Sequence, residues 1–278
     1  MKSADGRDLH GVVSGAGPVT VVLLHGWTLD STCWEPVARA LTGVRVLRYD
    51  HRGHGRSAEV DASTMTLEQL ADDLAAVLAA EVPEGPIVLV GHSMGGMTAM
   101  ALAERHPGLV ARVVGLGLVA TAAGELGATF PDWLRTVNER RVFASAAWTG
   151  RRALARHPVL LKPAMRAMLV GRHPSRAALR KTSETIAACR PSTLSGFWTT
   201  LGAHQRQAAL AAYAEIPVHI MVGTRDRLTP PRYSRRIREA LPHAELTLFP
   251  DAGHMLPLER TDGVTARIQA LVGAAVSA

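Results

Sequence analysis

The stretch Ile87-Val88-Leu89-Val90-Gly91-His92-Ser93-Met94-Gly95-Gly96 decides how this chain is read. Four apolar, largely β-branched residues stop at a glycine, the pattern of a strand buried on both faces. From Met94 to Arg105 the pattern turns helical and ends before His106-Pro107. Ser93 is thereby placed on a tight strand-to-helix turn inside a G-x-S-x-G pattern, with Gly91 and Gly95 keeping side chains out of a crowded corner. Such a turn carries the serine hydroxyl to the carboxyl end of a sheet, where open α/β folds bind ligands. The helix start behind it offers unpaired N–H groups and a partial positive charge.

Outward from this point, short apolar runs recur: Val19–Leu24, Val44–Tyr49, Val113–Leu118, Pro217–Val222 and Ala244–Phe249. Helical patterns separate them, at Thr66–Ala80, Arg232–Leu241 and Gly263–Val272. In the first of these Thr66 caps, and Leu67, Leu70, Leu74, Val77 and Leu78 form one apolar stripe. Strand–helix alternation predicts an α/β doubly wound, mostly parallel sheet flanked by helices. Residues 121–213 break the rhythm. They carry no strand pattern and are punctuated by Pro131, Gly150, Pro158, Gly171, Pro174 and Pro191. They are expected to form an all-helical lid inserted in a core made of 1–120 and 214–278.

Composition sets bounds. The chain has 278 residues, 47% hydrophobic and 20% charged, which suits a globular core and not a disordered chain. Its two cysteines exclude a disulfide scaffold. The polar start MKSADGRDLHG is unlike a signal peptide, and Val113–Ala123 is about half of what a membrane span needs. A soluble, cytoplasmic protein is expected. The net charge of +7 has one source: residues 121–213 hold 14 basic and 4 acidic residues. Solvated helix faces explain this most simply, with an acidic carrier or anionic substrate as the alternative partner. No zinc-finger spacing or RNA-binding signature occurs, so no nucleic acid is expected.

The chain resembles the α/β-hydrolase family from about Leu9 to Val272. That resemblance implies a nucleophile, an acid and a histidine in this chain order. Ser93 fits the first. Asp226, in Gly223-Thr224-Arg225-Asp226 after a strand, fits the second, and His254, in Asp251-Ala252-Gly253-His254-Met255 after the next strand, fits the third. His254 would take the serine proton, and Asp226 would fix its tautomer. Asp251 and Glu125 are rival acids. The oxyanion would be held by backbone N–H groups of Met94, after the nucleophile, and of Trp27, in His25-Gly26-Trp27. Seven of the twelve aromatics fall in 121–213. Trp133, Trp148 and Trp198, with Met255, are expected to line the acyl pocket.

Asp50-His51-Arg52-Gly53-His54-Gly55-Arg56-Ser57 superficially suggests a metal site but also matches a Gly-rich loop of the family. No H-E-x-x-H, P-loop or G-x-G-x-x-G pattern accompanies it, so neither metal nor cofactor is expected. The expectation is therefore a serine hydrolase acting on a small-molecule carboxylic ester, a lactone or a thioester through an acyl-enzyme. The run Ser93–Gly96 with Trp27 also resembles cofactor-free perhydrolases (haloperoxidases), and carbon–carbon bond hydrolases share the triad. A repurposed ligand-binding or cyclising scaffold is the alternative from another class. Oligomeric state is not specified by these patterns.

Overall fold

The computed structural model describes residues 1–126, 166 and 168–277. Among the described residues seven segments form strands, six of them short apolar runs: β1 (Gly11–Gly15), β2 (Thr20–Leu24), β3 (Arg45–Tyr49), β4 (Ile87–His92), β5 (Val113–Val119), β6 (Val218–Gly223) and β7 (Glu245–Phe249). They form one sheet in the order β1-β3-β2-β4-β5-β6-β7. Every pairing is parallel except β1 with β3. The antiparallel β1 escaped the sequence reading: it is a Gly-bounded edge strand, half-buried to exposed along its length, and lacks an apolar run.

The helices are α1 (Glu35–Ala40), α2 (Leu67–Glu81), α3 (Met94–Arg105), α4 (Pro107–Val110), α5 (Arg176–Ala188), α6 (Pro191–Gly196), α7 (Trp198–Gly202), α8 (Pro231–Ala240), α9 (Leu256–Glu259) and α10 (Thr261–Ser277). Alternate strand residues feed two cores, as the two-residue period of a strand requires. Val22, Leu24, Leu47 and Leu89 pack with α2 and α3. Val21, Leu23, Val46 and Val88 pack on the other face with α1 and α10. Helix α2 starts where its cap predicts, with Thr66 Oγ1 accepting from the Gln69 N–H at 3.1 Å. Its buried Leu67, Leu70, Leu74 and Leu78 each contribute about 1.5–3 kcal/mol by leaving water.

Between β5 and β6 the described chain is helical, through α5, α6 and α7. Trp133 and Trp148 lie outside the described residues. Among the described residues no helix is long and apolar enough to cross a membrane.

The loop after β3 is a structural latch. Asp50 accepts from the Ser31 and Arg56 N–H groups at 2.8 and 2.9 Å. The fully buried Arg52 guanidinium grips Asp73 through Nε and Nη2, at 2.6 and 2.7 Å, and Asp5 through Nη2 at 2.9 Å. The rings of His25, His51 and His54 gather beside it, His25 lying 4.4 Å from His51 and 5.1 Å from His54 between centroids. His25 Nε2 accepts from the His51 N–H at 2.9 Å, so the proton sits on Nδ1, which donates to Gly26 O at 2.8 Å.

Burial disfavours the charged form of these rings. It depresses His25, takes His51 well below the usual histidine value, and brings His54 and His92 to about 3 and His204 to about 4. As pH falls below about 6.5, the unfolded chain takes up protons at these positions and the folded protein does not. Stability is therefore expected to fall between pH 6.5 and 4, each histidine adding a slope that approaches about 1.4 kcal/mol per pH unit. Urea midpoints across this range check it; a flat profile would contradict the buried neutral assignment.

Candidate active site

Three loops meet at the carboxyl ends of β4, β6 and β7. Ser93 stands between β4 and α3 in a backbone conformation of φ 52° and ψ −117°, a strained region for a non-glycine residue. Its neighbours explain how it persists. A Cβ on Gly91 would stand 2.3 Å from the Gly96 nitrogen, and one on Gly95 would stand 2.4 Å from the Leu24 oxygen. Glycine alone lets α3 start this close to the sheet. The turn is then pinned by Ser93 N–H to Val119 O at 2.9 Å and by Thr121 Oγ1 to Ser93 O at 2.7 Å.

Asp226 is buried two residues beyond Thr224, after β6, and His254 is buried in the loop after β7. The His254 Nδ1–H donates to Asp226 Oδ2 at 2.8 Å. That bond fixes the tautomer and leaves Nε2 as the lone-pair nitrogen. Asp226 Oδ1 accepts from the Leu228 and Thr229 N–H groups, both at 2.9 Å, and Oδ2 from the Thr229 hydroxyl at 2.8 Å. Burial works to raise this carboxyl, but the His254 charge and hydrogen bond and the Thr229 donors outweigh it and hold Asp226 below the usual carboxylate range. It is therefore an anion aimed at the imidazole.

The residue beside the serine joins these loops. His92 Nε2–H donates to His254 O at 2.8 Å, with the two rings 4.8 Å apart. The rival acids are occupied elsewhere. Asp251 lies at φ 55° in its turn and pairs with Arg225 at 2.9 Å on the surface. Glu125 pairs with Arg236.

The segment after β2 lies directly against the Ser93 turn: a Cβ on Gly26 would come 3.1 Å from Ser93 Cβ. Trp27 follows it, and Met94 is the first residue of α3, so both positions proposed for oxyanion donors border Ser93. The half-buried Trp27 donates its indole N–H to Thr193 O at 3.3 Å, and its ring lies 5.8 Å from Trp198. Trp198 is thus brought to the site by α7. Met255 is buried in the core that α1 and α10 cover. Sequence reasoning missed Thr229, whose only signal was its place three residues after Asp226, and Thr193, whose contacts become visible only in the folded chain. Among the described residues no group of three or more His, Cys, Asp or Glu is arranged to hold a metal.

Comparison with known proteins decides the family. The sequence model of the alpha/beta hydrolase fold matches residues 19–261. The chain belongs to the α/β-hydrolase fold family. This hydrolase is 33% identical over 244 residues to a pimeloyl-[acyl-carrier protein] methyl ester esterase of Chromobacterium violaceum, covering 86% of this chain and 88% of the relative. It is similar to the solved structure of a thermophilic esterase from Thermogutta terrifontis, with TM-score 0.75, 25% identity and 97% and 94% of the two chains covered. It is also similar to Est816, described as an N-acyl homoserine lactone degrading enzyme, with TM-score 0.73, 25% identity and 96% and 97% coverage. Enzymes acting on carboxylic esters recur among these relatives, and the chain is an enzyme of that class.

The geometry separates the candidate acids experimentally. Asp226→Asn is expected to lower kcat by several decades through the wrong His254 tautomer, on the order of the 10⁴ seen when a triad acid is so changed. Asp251→Asn is expected to have a mild effect, since its carboxylate faces Arg225. Steady-state kinetics on a p-nitrophenyl ester check both, and the reverse order of effects would reassign the acid.

Proposed function

We propose that this hydrolase cleaves a small-molecule carboxylic ester through an acyl-enzyme on Ser93. The observation that best supports the reading is the buried Asp226–His254 hydrogen bond of 2.8 Å, tied through His92 to the turn that bears Ser93. Ser93 Oγ attacks the acyl carbon while His254 Nε2 takes its proton. The developing oxyanion is held by the Trp27 and Met94 N–H groups, which are rigid because they belong to backbone already fixed by the sheet and by α3. His254 then returns the proton to the leaving alcohol. Water enters, loses a proton to His254 and releases the acid.

Residues 121–213 act as the lid in this reading. Trp27 and Trp198 wall the acyl side, so uncharged acyl chains gain about 0.8 kcal/mol for each CH₂ buried. Lactones are accommodated by the same chemistry, in keeping with the likeness to a lactone-degrading structure. A carrier-bound acyl group is the second reading. It is favoured by the likeness to the Chromobacterium esterase, which is named for an acyl-carrier-protein substrate, and by exposed cations of the inserted segment such as Arg176 and Arg180.

Ser93→Ala is expected to remove most of the assisted rate, on the order of 10⁶ where a triad serine is lost. A fluorophosphonate probe is expected to label the wild-type serine. Retention of more than about a tenth of the activity would refute the acyl-enzyme route. For neutral p-nitrophenyl esters, kcat/KM is expected to rise over the first few methylenes, then level off. It should change by less than about threefold between low and physiological salt, because apolar burial is not screened. A preference for anionic acyl groups that salt abolishes would instead make the arginines the recognition element.

A further inference from the structure

His254 sits in a loop whose backbone is fixed by one carboxylate. Glu259 closes the short helix α9, five residues beyond the histidine. Its Oε1 and Oε2 each accept from the Gly253 N–H at 3.1 Å, and Oε1 accepts from the Met255 N–H at 3.2 Å. These donors flank His254 on both sides. Oε2 also accepts from the Gly171 N–H at 2.7 Å, where the inserted segment returns to the core. The same return segment takes the His254 and Met255 N–H groups on Leu169 O, at 2.9 and 3.2 Å.

We propose that Glu259 is a positioning residue for the catalytic base: its carboxylate fixes the Gly253–Met255 loop, and so the His254 ring, and locks the end of the lid segment to the same point. The inference rests on His254 being the base, as argued above.

The chemistry requires an acceptor-only group. Three backbone N–H groups converge on two oxygens, which a carboxylate can serve with about four lone-pair sites. An amide offers one oxygen and an NH₂ that would face a donor. Burial pushes the Glu259 carboxyl up, against the pull of the Gly171, Gly253 and Met255 donors. Among the described residues it forms no ion pair, so backbone donors compensate for its desolvation. Its bonds reach both neighbours of His254 but not the imidazole. Losing them would turn the ring away from its working position while substrate contacts stay in place.

Glu259→Gln therefore tests the proposal. We expect kcat to fall by about ten- to a hundredfold, the scale of a misplacement near 1 Å, with KM within about twofold. The far-UV spectrum should be unchanged at the assay temperature. The downfield His254 Nδ1 proton, read by NMR in the wild type, should shift or broaden in the variant. A purely structural role would lower the melting temperature and leave that resonance and kcat in place, which would overturn the proposal. His254→Ala is assayed alongside. If it keeps activity, the base assignment has failed. If it is inactive while Glu259→Gln turns over at the wild-type rate, the positioning role alone has failed. Should Glu259→Gln not fold, Glu259→Asp carries the test: it keeps the charge but withdraws it by one methylene. It is expected to lose kcat in the same direction, and a wild-type kcat there would contradict the proposal.

Discussion

The strained turn at Ser93 is the constraint on which the rest depends. A serine at φ 52° and ψ −117° costs on the order of 1–3 kcal/mol and persists only where its surroundings leave no alternative. Here they do not. Gly91 and Gly95 let α3 and β2 approach to a distance that excludes any side chain, and the Val119 and Thr121 bonds close the remaining freedom. The strain is held by the parallel sheet beneath, whose buried apolar strands supply far more than the turn consumes. The reward is a hydroxyl that stands clear of its own backbone, beside a helix start whose first N–H has no intrahelical acceptor.

Around this fixed point the other groups are placed by polar bonds buried in the protein. His92, one residue before the serine, donates to the carbonyl of His254. Asp226 is held by four contacts, from Leu228, twice from Thr229 and from His254. Such networks are costly if any member is left unmet, and when complete they permit few alternative arrangements. The active loops therefore behave as parts of the scaffold. The indole of Trp27 and the carbonyl of Thr193 extend this scaffold into α6, so the inserted segment and the proposed oxyanion position are physically linked.

Much of this was legible in the sequence, for definite reasons. Parallel strands buried on both faces must be apolar throughout, so β2, β4, β5 and β6 announce themselves. Ser93 and Asp226 follow two of these strands and His254 follows the edge strand β7, and parallel pairing brings all three loops to the same end of the sheet. An edge strand such as β1 has no such obligation. Thr229 donates to the Asp226 carboxylate and Glu259 accepts from backbone N–H groups, contacts that leave no periodic or compositional trace. The tryptophans divide similarly. Trp198 meets Trp27, but nothing in the spacing of the aromatics said which of them would arrive there, because that is set by how short helices pack and not by their composition.

The central claim, that the strained serine becomes transiently acylated, is tested most directly by trapping that species. Enzyme mixed with a p-nitrophenyl ester of slow deacylation is acid-quenched within the first turnover and its mass measured intact and after digestion. The account predicts one added acyl group, carried on the peptide that contains Ser93 and absent from Ser93→Ala. An active enzyme that shows no added mass under these conditions, or an acyl group on another residue, would contradict it.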